Sequence, residues 1–120
     1  MMTPNELFSL LSDATRLRCL VLLQNKGELC VCEISQIMGS IQPKISRHLA
    51  LMRKSGLVSD ERRGQWVYYS LNQSLPDWAK RIIESTVKHL MGEEPYHSDL
   101  KKICSLKKEN ICKPYHESKN

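Results

Sequence analysis

The spacing of the apolar residues changes along the chain, and this change constrains the fold more than any other feature. Between residues 7 and 52 apolar residues recur every three or four positions, which is the period of helices that bury one face. The segments 58–62 and 66–71 instead alternate, which is typical of two strands joined by a turn at residues 63–65. Helical spacing returns in residues 76–91. The sequence therefore predicts a mainly α-helical fold with the element order α-α-α-α-β-β-α.

The junction between the third and fourth helices is the most specific local signal. Gly39 stands where a helix ends most easily with a left-handed residue. Pro43 stands at the start of the next helix, where its missing N–H costs nothing. Two helices joined by such a tight turn form a helix-turn-helix, and the hairpin that follows would be its wing. We therefore expect a winged helix-turn-helix domain over residues 1–91.

The positive charge is concentrated around this junction. Residues 39–70 carry six bases against two acids, which accounts for most of the net charge of +5. A basic block in a small domain is the electrostatic pattern of a protein that binds a polyanion, and a recognition helix presents its first turns to the major groove. The side chains expected to contact double-stranded operator DNA are Gln42, Lys44, Ser46, Arg47 and His48 on the fourth helix and Arg62, Arg63 and Gln65 at the hairpin tip.

The last predicted helix carries apolar residues over a wide arc. Such an arc needs a second surface to cover it, most simply the same helix of another subunit. We therefore expect a homodimer that forms through the first and last helices. Beyond Gly92 the chain is polar and basic with little periodicity, so residues 92–120 are expected to form a flexible tail that contains Cys104 and Cys112.

The size and the cysteine count bound the class of protein. A chain of 120 residues can bury one core, and it has no apolar run long enough for a membrane span, so we expect a cytoplasmic protein that does not bind membranes. Thiols are kept reduced in that compartment. The five cysteines therefore indicate thiol or metal chemistry rather than a disulfide framework.

Cys30 and Cys32 lie at the predicted start of the third helix. A helix N-terminus stabilises a thiolate and lowers its pKa, and thiolates bind soft metals and metalloids. In a regular helix, side chains two positions apart diverge by about 200°. One ion held by both sulfur atoms would then require the first turn to unwind. Because this helix supports the recognition helix, such unwinding would weaken DNA binding.

Three segments resemble the ArsR branch of the ArsR/SmtB family of winged-helix repressors. They are residues 28–33 (ELCVCE), 42–49 (QPKISRHL) and 64–69 (GQWVYY), and the resemblance extends over about residues 5–90. It implies a homodimeric repressor of an arsenical resistance operon, which leaves its DNA when arsenite or antimonite binds the thiolates of Cys30 and Cys32. It implies no catalytic residue, no catalytic cofactor and no enzymatic activity.

The sequence departs from this branch at Ser35, where relatives with three thiolates in this helix have their third cysteine. A serine hydroxyl is a poor ligand for a soft ion. The third bond to arsenic could come from a tail cysteine, from Cys19, from an external thiol or from a retained hydroxide, and the sequence leaves these alternatives open.

Other functions remain as alternatives. A repressor of the same family could respond to cadmium, lead or zinc, although Asp77 and His89 lack the spacing of the zinc sensors that this family contains. A thiol redox protein could cycle Cys30 and Cys32 through a disulfide, but no βαβ pattern surrounds the pair. A DNA-binding protein that senses nothing is the third alternative.

Overall fold

The computed structural model describes residues 2–106, which form six helices and a three-stranded antiparallel sheet. The elements are α1 (Pro4–Leu11), α2 (Ala14–Lys26), β1 (Leu29–Cys30), α3 (Val31–Met38), α4 (Gln42–Lys54), β2 (Val58–Arg63), β3 (Trp66–Leu71), α5 (Asp77–Leu90) and α6 (Tyr96–Cys104). This confirms the predicted mainly helical architecture and adds two elements to the predicted order, β1 and α6.

The helix boundaries follow local signals. The Asp13 carboxylate accepts a hydrogen bond from the Arg16 N–H at 3.0 Å and so caps the start of α2. Gly39 ends α3 with φ +64°, in the left-handed region that a residue without Cβ adopts most easily. Pro43 lies in the first turn of α4, which begins at Gln42, one residue before the predicted start. The helix-turn-helix geometry is therefore encoded locally.

One core joins helices α1 to α5 and the sheet. Leucine and isoleucine side chains from α2, α3 and α4 are almost completely buried in it, as is Ile83 of α5. The first turns of α4 leave this core and are exposed, except at Ile45. The core thus fixes the orientation of α4 while one face of the helix stays accessible.

The sheet has the order β1-β3-β2, with β3 in the centre. The hairpin of β2 and β3 forms the predicted wing, with Arg63 opposite Trp66 and a turn at Gly64 and Gln65. The sequence did not predict β1, because two residues are too few to show an alternating pattern. This strand pairs Leu29 with Tyr69 and Cys30 with Tyr68.

The expectation of a flexible tail from residue 92 is wrong for the part that the structure describes. Residues 96–104 form α6, which packs on α2 and α3. Asp99 of α6 is 2% exposed and pairs with Arg18 of α2. Tyr96, Leu100 and Ile103 pack against the main core at helical spacing, and the sequence analysis missed this short apolar period. Cys112 lies outside the described residues, and the division into a domain and a tail stays a prediction. Across residues 2–106, none of the helices combines the length and apolar character that a membrane crossing requires.

Candidate metal centre and nucleic-acid interface

The sulfur atoms of Cys30 and Cys32 lie 3.0 Å apart. Cys30 is the residue that precedes α3, and its backbone is extended (φ −89°, ψ 164°), while Cys32 lies in the first turn of α3. The cysteines thus lie at the start of α3 as expected, but Cys30 is outside the helical residues, so the divergence expected of two side chains in a regular helix does not apply to them. Because the backbone bends between strand and helix at Cys30, the two side chains converge without any change in α3.

Two aromatic side chains of the wing surround this cysteine pair. Cys30, Cys32 and Tyr68 form a buried cluster, and Trp66 packs against it. Sequence analysis did not identify either aromatic residue as part of the site. Trp66 and Tyr68 are two positions apart on β3 and so share one face of the sheet, but only the pairing of β1 with β3 shows that this face meets the cysteines.

Burial raises the pKa of Cys30 to about 11, and the nearby Glu33 carboxylate adds to this increase. Backbone N–H groups of the first turn of α3 oppose the increase without cancelling it. The Glu33 carboxylate in turn accepts a hydrogen bond from the Cys30 N–H at 2.9 Å. The expectation that the helix N-terminus lowers the thiol pKa is therefore wrong for Cys30, because desolvation outweighs the helix terminus here.

The structure places the other described cysteines away from this cluster. Cys19 is 0% exposed in the main core, where burial raises its pKa to about 12. Cys104 ends α6 and is exposed. Within residues 2–106, no group of three or more histidine, cysteine or acidic side chains is arranged to hold a metal ion. The described residues thus place two sulfur atoms side by side and do not supply a third. Cys32 is disulfide-bonded in this structure, contrary to the expectation of reduced thiols, so its sulfur must be reduced before it can bind a soft ion.

Ser35 has a structural role in the helix-turn-helix. Its side chain is largely buried, and its hydroxyl donates a hydrogen bond to the Ser40 carbonyl. The Ser40 N–H donates back to the Ser35 carbonyl at 3.2 Å. Ser35 therefore fastens the end of α3 to the turn before α4, and sequence analysis recognised only that it is a poor metal ligand.

The residues predicted to contact DNA on α4 have two kinds of surroundings. Gln42, Lys44, Ser46 and Arg47 are exposed on its first turns. His48 is half-buried instead, with its Nδ1 atom 3.9 Å from an Asp13 carboxylate oxygen and 3.4 Å from Arg16 Nη1. Burial lowers the pKa of His48, with the Asp13 charge opposing. His48 therefore packs against the start of α2 while its neighbours face solvent.

At the wing, Arg62, Arg63 and Gln65 are all exposed. Arg63 also binds Glu28, which precedes β1, through two hydrogen bonds of 2.7 and 2.6 Å. These contacts raise the pKa of Arg63, which stays charged. The tip of the wing thus carries basic side chains, and one of them reaches back to the segment that contains Cys30.

An exposed basic helix that follows a tight turn, together with a basic hairpin, defines a winged helix-turn-helix DNA-binding protein.

Residues 13–60 match the family described as bacterial regulatory protein, arsR family. The chain is 42% identical over 113 residues to the arsenical resistance operon repressor of Escherichia coli (strain K12), covering 91% of this chain and 95% of that protein. It is 49% identical over 88 residues to the arsenic resistance transcriptional regulator ArsR2 of Pseudomonas putida, covering 73% of this chain and 76% of that protein.

Solved structures give the same classification. The transcriptional repressor BigR from Xylella fastidiosa superposes with a TM-score of 0.64 at 28% identity, covering 75% of this chain and 85% of that one. HlyU from Vibrio cholerae N16961 gives a TM-score of 0.62 at 31% identity, covering 69% of this chain and 86% of that one.

The chain therefore belongs to the arsR family of bacterial regulatory proteins and is similar over most of its length to arsenical resistance repressors. It is a transcriptional regulator with a winged-helix DNA-binding domain and not an enzyme, which confirms the family and the fold expected from the sequence.

Proposed function

We propose that this protein represses an arsenical resistance operon as a homodimer on double-stranded operator DNA. Arsenite or antimonite would release it by binding the reduced Cys30 and Cys32. The observation that carries this proposal is the pair of sulfur atoms 3.0 Å apart, buried at the junction of β1 and α3. Because its operator is chromosomal or plasmid DNA in the bacterial cell, the protein would act in the cytoplasm.

The cysteine pair suits a trivalent metalloid for chemical reasons. Arsenite is a neutral trihydroxide at neutral pH, and each bond from arsenic to sulfur replaces one from arsenic to oxygen. The thiol proton leaves with the displaced hydroxyl group as water, so two condensations release two waters and no net charge. A buried site lined by Tyr68 and Trp66 favours such a neutral product over an uncompensated charge.

The signal has a direct structural path to the recognition helix. Cys32 lies in α3, and the far end of α3 holds the turn before α4 through the hydrogen bonds between Ser35 and Ser40. A ligand shifts an equilibrium only by its differential affinity for two states. A hundredfold loss of operator affinity requires about 2.8 kcal/mol of such a difference. A small displacement of α3 that changes several contacts with α4 is sufficient for that amount.

Recognition of DNA would divide between the helix and the wing. Gln42, Lys44, Ser46 and Arg47 would contact bases and phosphates in the major groove, and His48 would support the helix from its half-buried position. The wing residues Arg62, Arg63 and Gln65 would contact the adjacent backbone. The dimer would form through α1 and α5, which expose Phe8 and carry Trp78 and Ile82 partly exposed.

The proposal is tested by measuring release from DNA. A labelled duplex, selected by its binding to the wild-type protein, is titrated in a phosphine reductant with and without excess arsenite. Cys30→Ser and Cys32→Ser should bind the duplex as the wild type does and should no longer respond to arsenite. Cys104→Ser removes an exposed cysteine outside the cluster and is the matched control, which should respond normally.

Each other outcome points to a different function. Release by cadmium and not by arsenite would identify a sensor of divalent metals. Indifference to both would identify a DNA-binding protein without this sensing function. Loss of DNA binding in the serine variants would show that the thiols are structural.

The third ligand of arsenic is a separate question. X-ray absorption of the arsenite complex counts sulfur neighbours, and the count should fall in Cys112→Ser if this cysteine is the third ligand. This substitution is preferable to truncation after Gly92, because truncation would also remove α6 and its ion pair with α2.

A further inference from the structure

Arg63 connects two strands of the sheet to the residue that precedes the third strand. It ends β2, and its guanidinium group lies 4.7 Å from the centre of the Tyr68 ring on β3. The same group forms two hydrogen bonds with the carboxylate of Glu28, directly before β1. Because β3 lies between the other two strands, this side chain crosses the sheet from the wing to the segment before Cys30.

The contacts of Arg63 are also contacts of the cysteine pair. Tyr68 is the ladder partner of Cys30 and belongs to the same buried cluster. Glu28 is two residues from Cys30 on the same extended segment. A displacement of the Tyr68 ring, or of Cys30 together with the extended segment before it, therefore changes the position of a group that holds Arg63.

We propose that the contact between Glu28, Arg63 and Tyr68 transmits the state of the cysteine pair to the wing. This contact is a second route beside the one through α3 and the turn. The inference rests on the proposed function. In the inducer-free protein the contact holds the wing in the position that binds DNA. Occupation of the cysteine pair displaces β1 and the Tyr68 ring, weakens the contact and changes the position of the wing.

A neighbouring ion pair provides a matched control. Arg63 also binds Glu61 at 2.7 Å, but Glu61 is two residues away on the same strand, so this ion pair stays within β2. Glu28→Gln and Glu61→Gln each remove one negative charge and one partner of Arg63. Their comparison therefore separates coupling across the sheet from the general effect of charge on DNA affinity.

The quantity to measure is the ratio of operator affinities without and with saturating arsenite. We expect Glu28→Gln to reduce this ratio about threefold to fivefold, which is the range that a partly exposed ion pair supports. Glu61→Gln should keep the wild-type ratio. Arsenite binding, followed separately through the fluorescence of Trp66 in a Trp78→Phe background, should be retained in both variants.

Arg63→Lys tests the geometry of the contact, since lysine keeps the charge but not the paired hydrogen bonds or the stacking on Tyr68. It should reduce the ratio as Glu28→Gln does, and the double variant should show no further reduction. Equal ratios in Glu28→Gln and Glu61→Gln, with arsenite still bound, would overturn this inference and leave the proposed function intact. Absence of arsenite release in the wild-type protein would refute the proposed function itself.

Discussion

Arg18 on α2 and Asp99 on α6 form a paired hydrogen bond across 81 positions of sequence, with both nitrogen–oxygen distances at 2.8 Å. The Asp99 carboxylate raises the pKa of the Arg18 guanidinium, while partial burial opposes the increase. Lys102 of α6 adds a hydrogen bond of 3.4 Å to the Ile37 carbonyl on α3. These contacts attach α6 to α2 and α3, the two helices directly before the recognition helix α4.

Asp99→Ala should destabilise the protein, because it leaves the Arg18 charge without its partner in a mostly buried position. We expect the free energy of unfolding to fall by roughly 2 kcal/mol, less than for a fully buried pair since the Arg18 side chain is 23% exposed. Urea unfolding followed by circular dichroism measures this change. Asp77→Ala is the control, because Asp77 is 87% exposed and lies 3.6 Å from Arg81. An equal loss in the two variants would contradict the role of Asp99.

Ser35→Ala should loosen the helix-turn-helix by removing the hydroxyl that donates to the Ser40 carbonyl. A hydrogen bond between neutral groups contributes about 1 kcal/mol, and we expect a loss of that size together with weaker DNA binding. Calorimetry and operator titration measure the two effects. Ser59→Ala, at an exposed position on β2, should change neither. Unchanged DNA affinity in Ser35→Ala would show that the turn does not depend on this contact.

Ile41→Ser should stabilise the protein. Ile41 is the residue that caps α4, its backbone is already extended, and its 69% exposed side chain offers no acceptor to the helix N–H groups. A serine at this position would supply that acceptor and add about 1 kcal/mol to the free energy of unfolding. Ile41→Ala also shortens the side chain but supplies no acceptor, so its stability should remain close to that of the wild type. A gain in both variants would argue against capping as the cause.

Trp66 should report occupation of the cysteine pair, because it packs against Cys30 and Cys32. The protein contains one other tryptophan, Trp78. In Trp78→Phe, arsenite should therefore change the remaining emission in a saturable manner. Adding Cys32→Ser to this variant should abolish the change. Emission that responds equally with and without Cys32 would exclude Trp66 as a reporter of this site.

Asp13 should make stability depend on pH. Its hydrogen bond from the Arg16 N–H lowers its pKa, with burial opposing and the nearby His48 and Arg16 charges adding to the decrease. A depressed pKa means that the stabilisation is complete above the unfolded value near 4 and disappears as the pH falls through the folded value.

Urea unfolding at pH 5 and pH 3 tests whether the contribution of Asp13 to stability disappears as the pH falls. The wild-type protein should lose more stability between these values than Asp13→Asn, whose amide oxygen remains an acceptor without titrating. The difference should not exceed about 1 kcal/mol, the typical contribution of such a cap. If the free energy of unfolding changed with pH by the same amount in the two proteins, Asp13 would not contribute to the pH dependence of stability.

Sequence alone determined the elements whose signals are local. The spacing of apolar residues predicted α1 to α5, Gly39 and Pro43 bounded the helix-turn-helix, and alternation predicted the hairpin. Each of these signals acts within a few residues, through a helical turn, a capping group or a tight turn. The family resemblance came from the same contiguous segments. These local patterns are sufficient to identify a winged-helix regulator.

Only the tertiary structure decided how the site is assembled. A two-residue strand has no period, so the pairing of Cys30 with Tyr68 could not be read from the sequence. The convergence of the two sulfur atoms depends on this pairing, because it fixes the extended backbone that replaces the expected helical turn at Cys30. Likewise, the ion pair that holds α6 on α2 joins Asp99 to Arg18, which is distant in sequence. Contacts between distant segments follow from how elements pack together, and no local pattern records which elements meet.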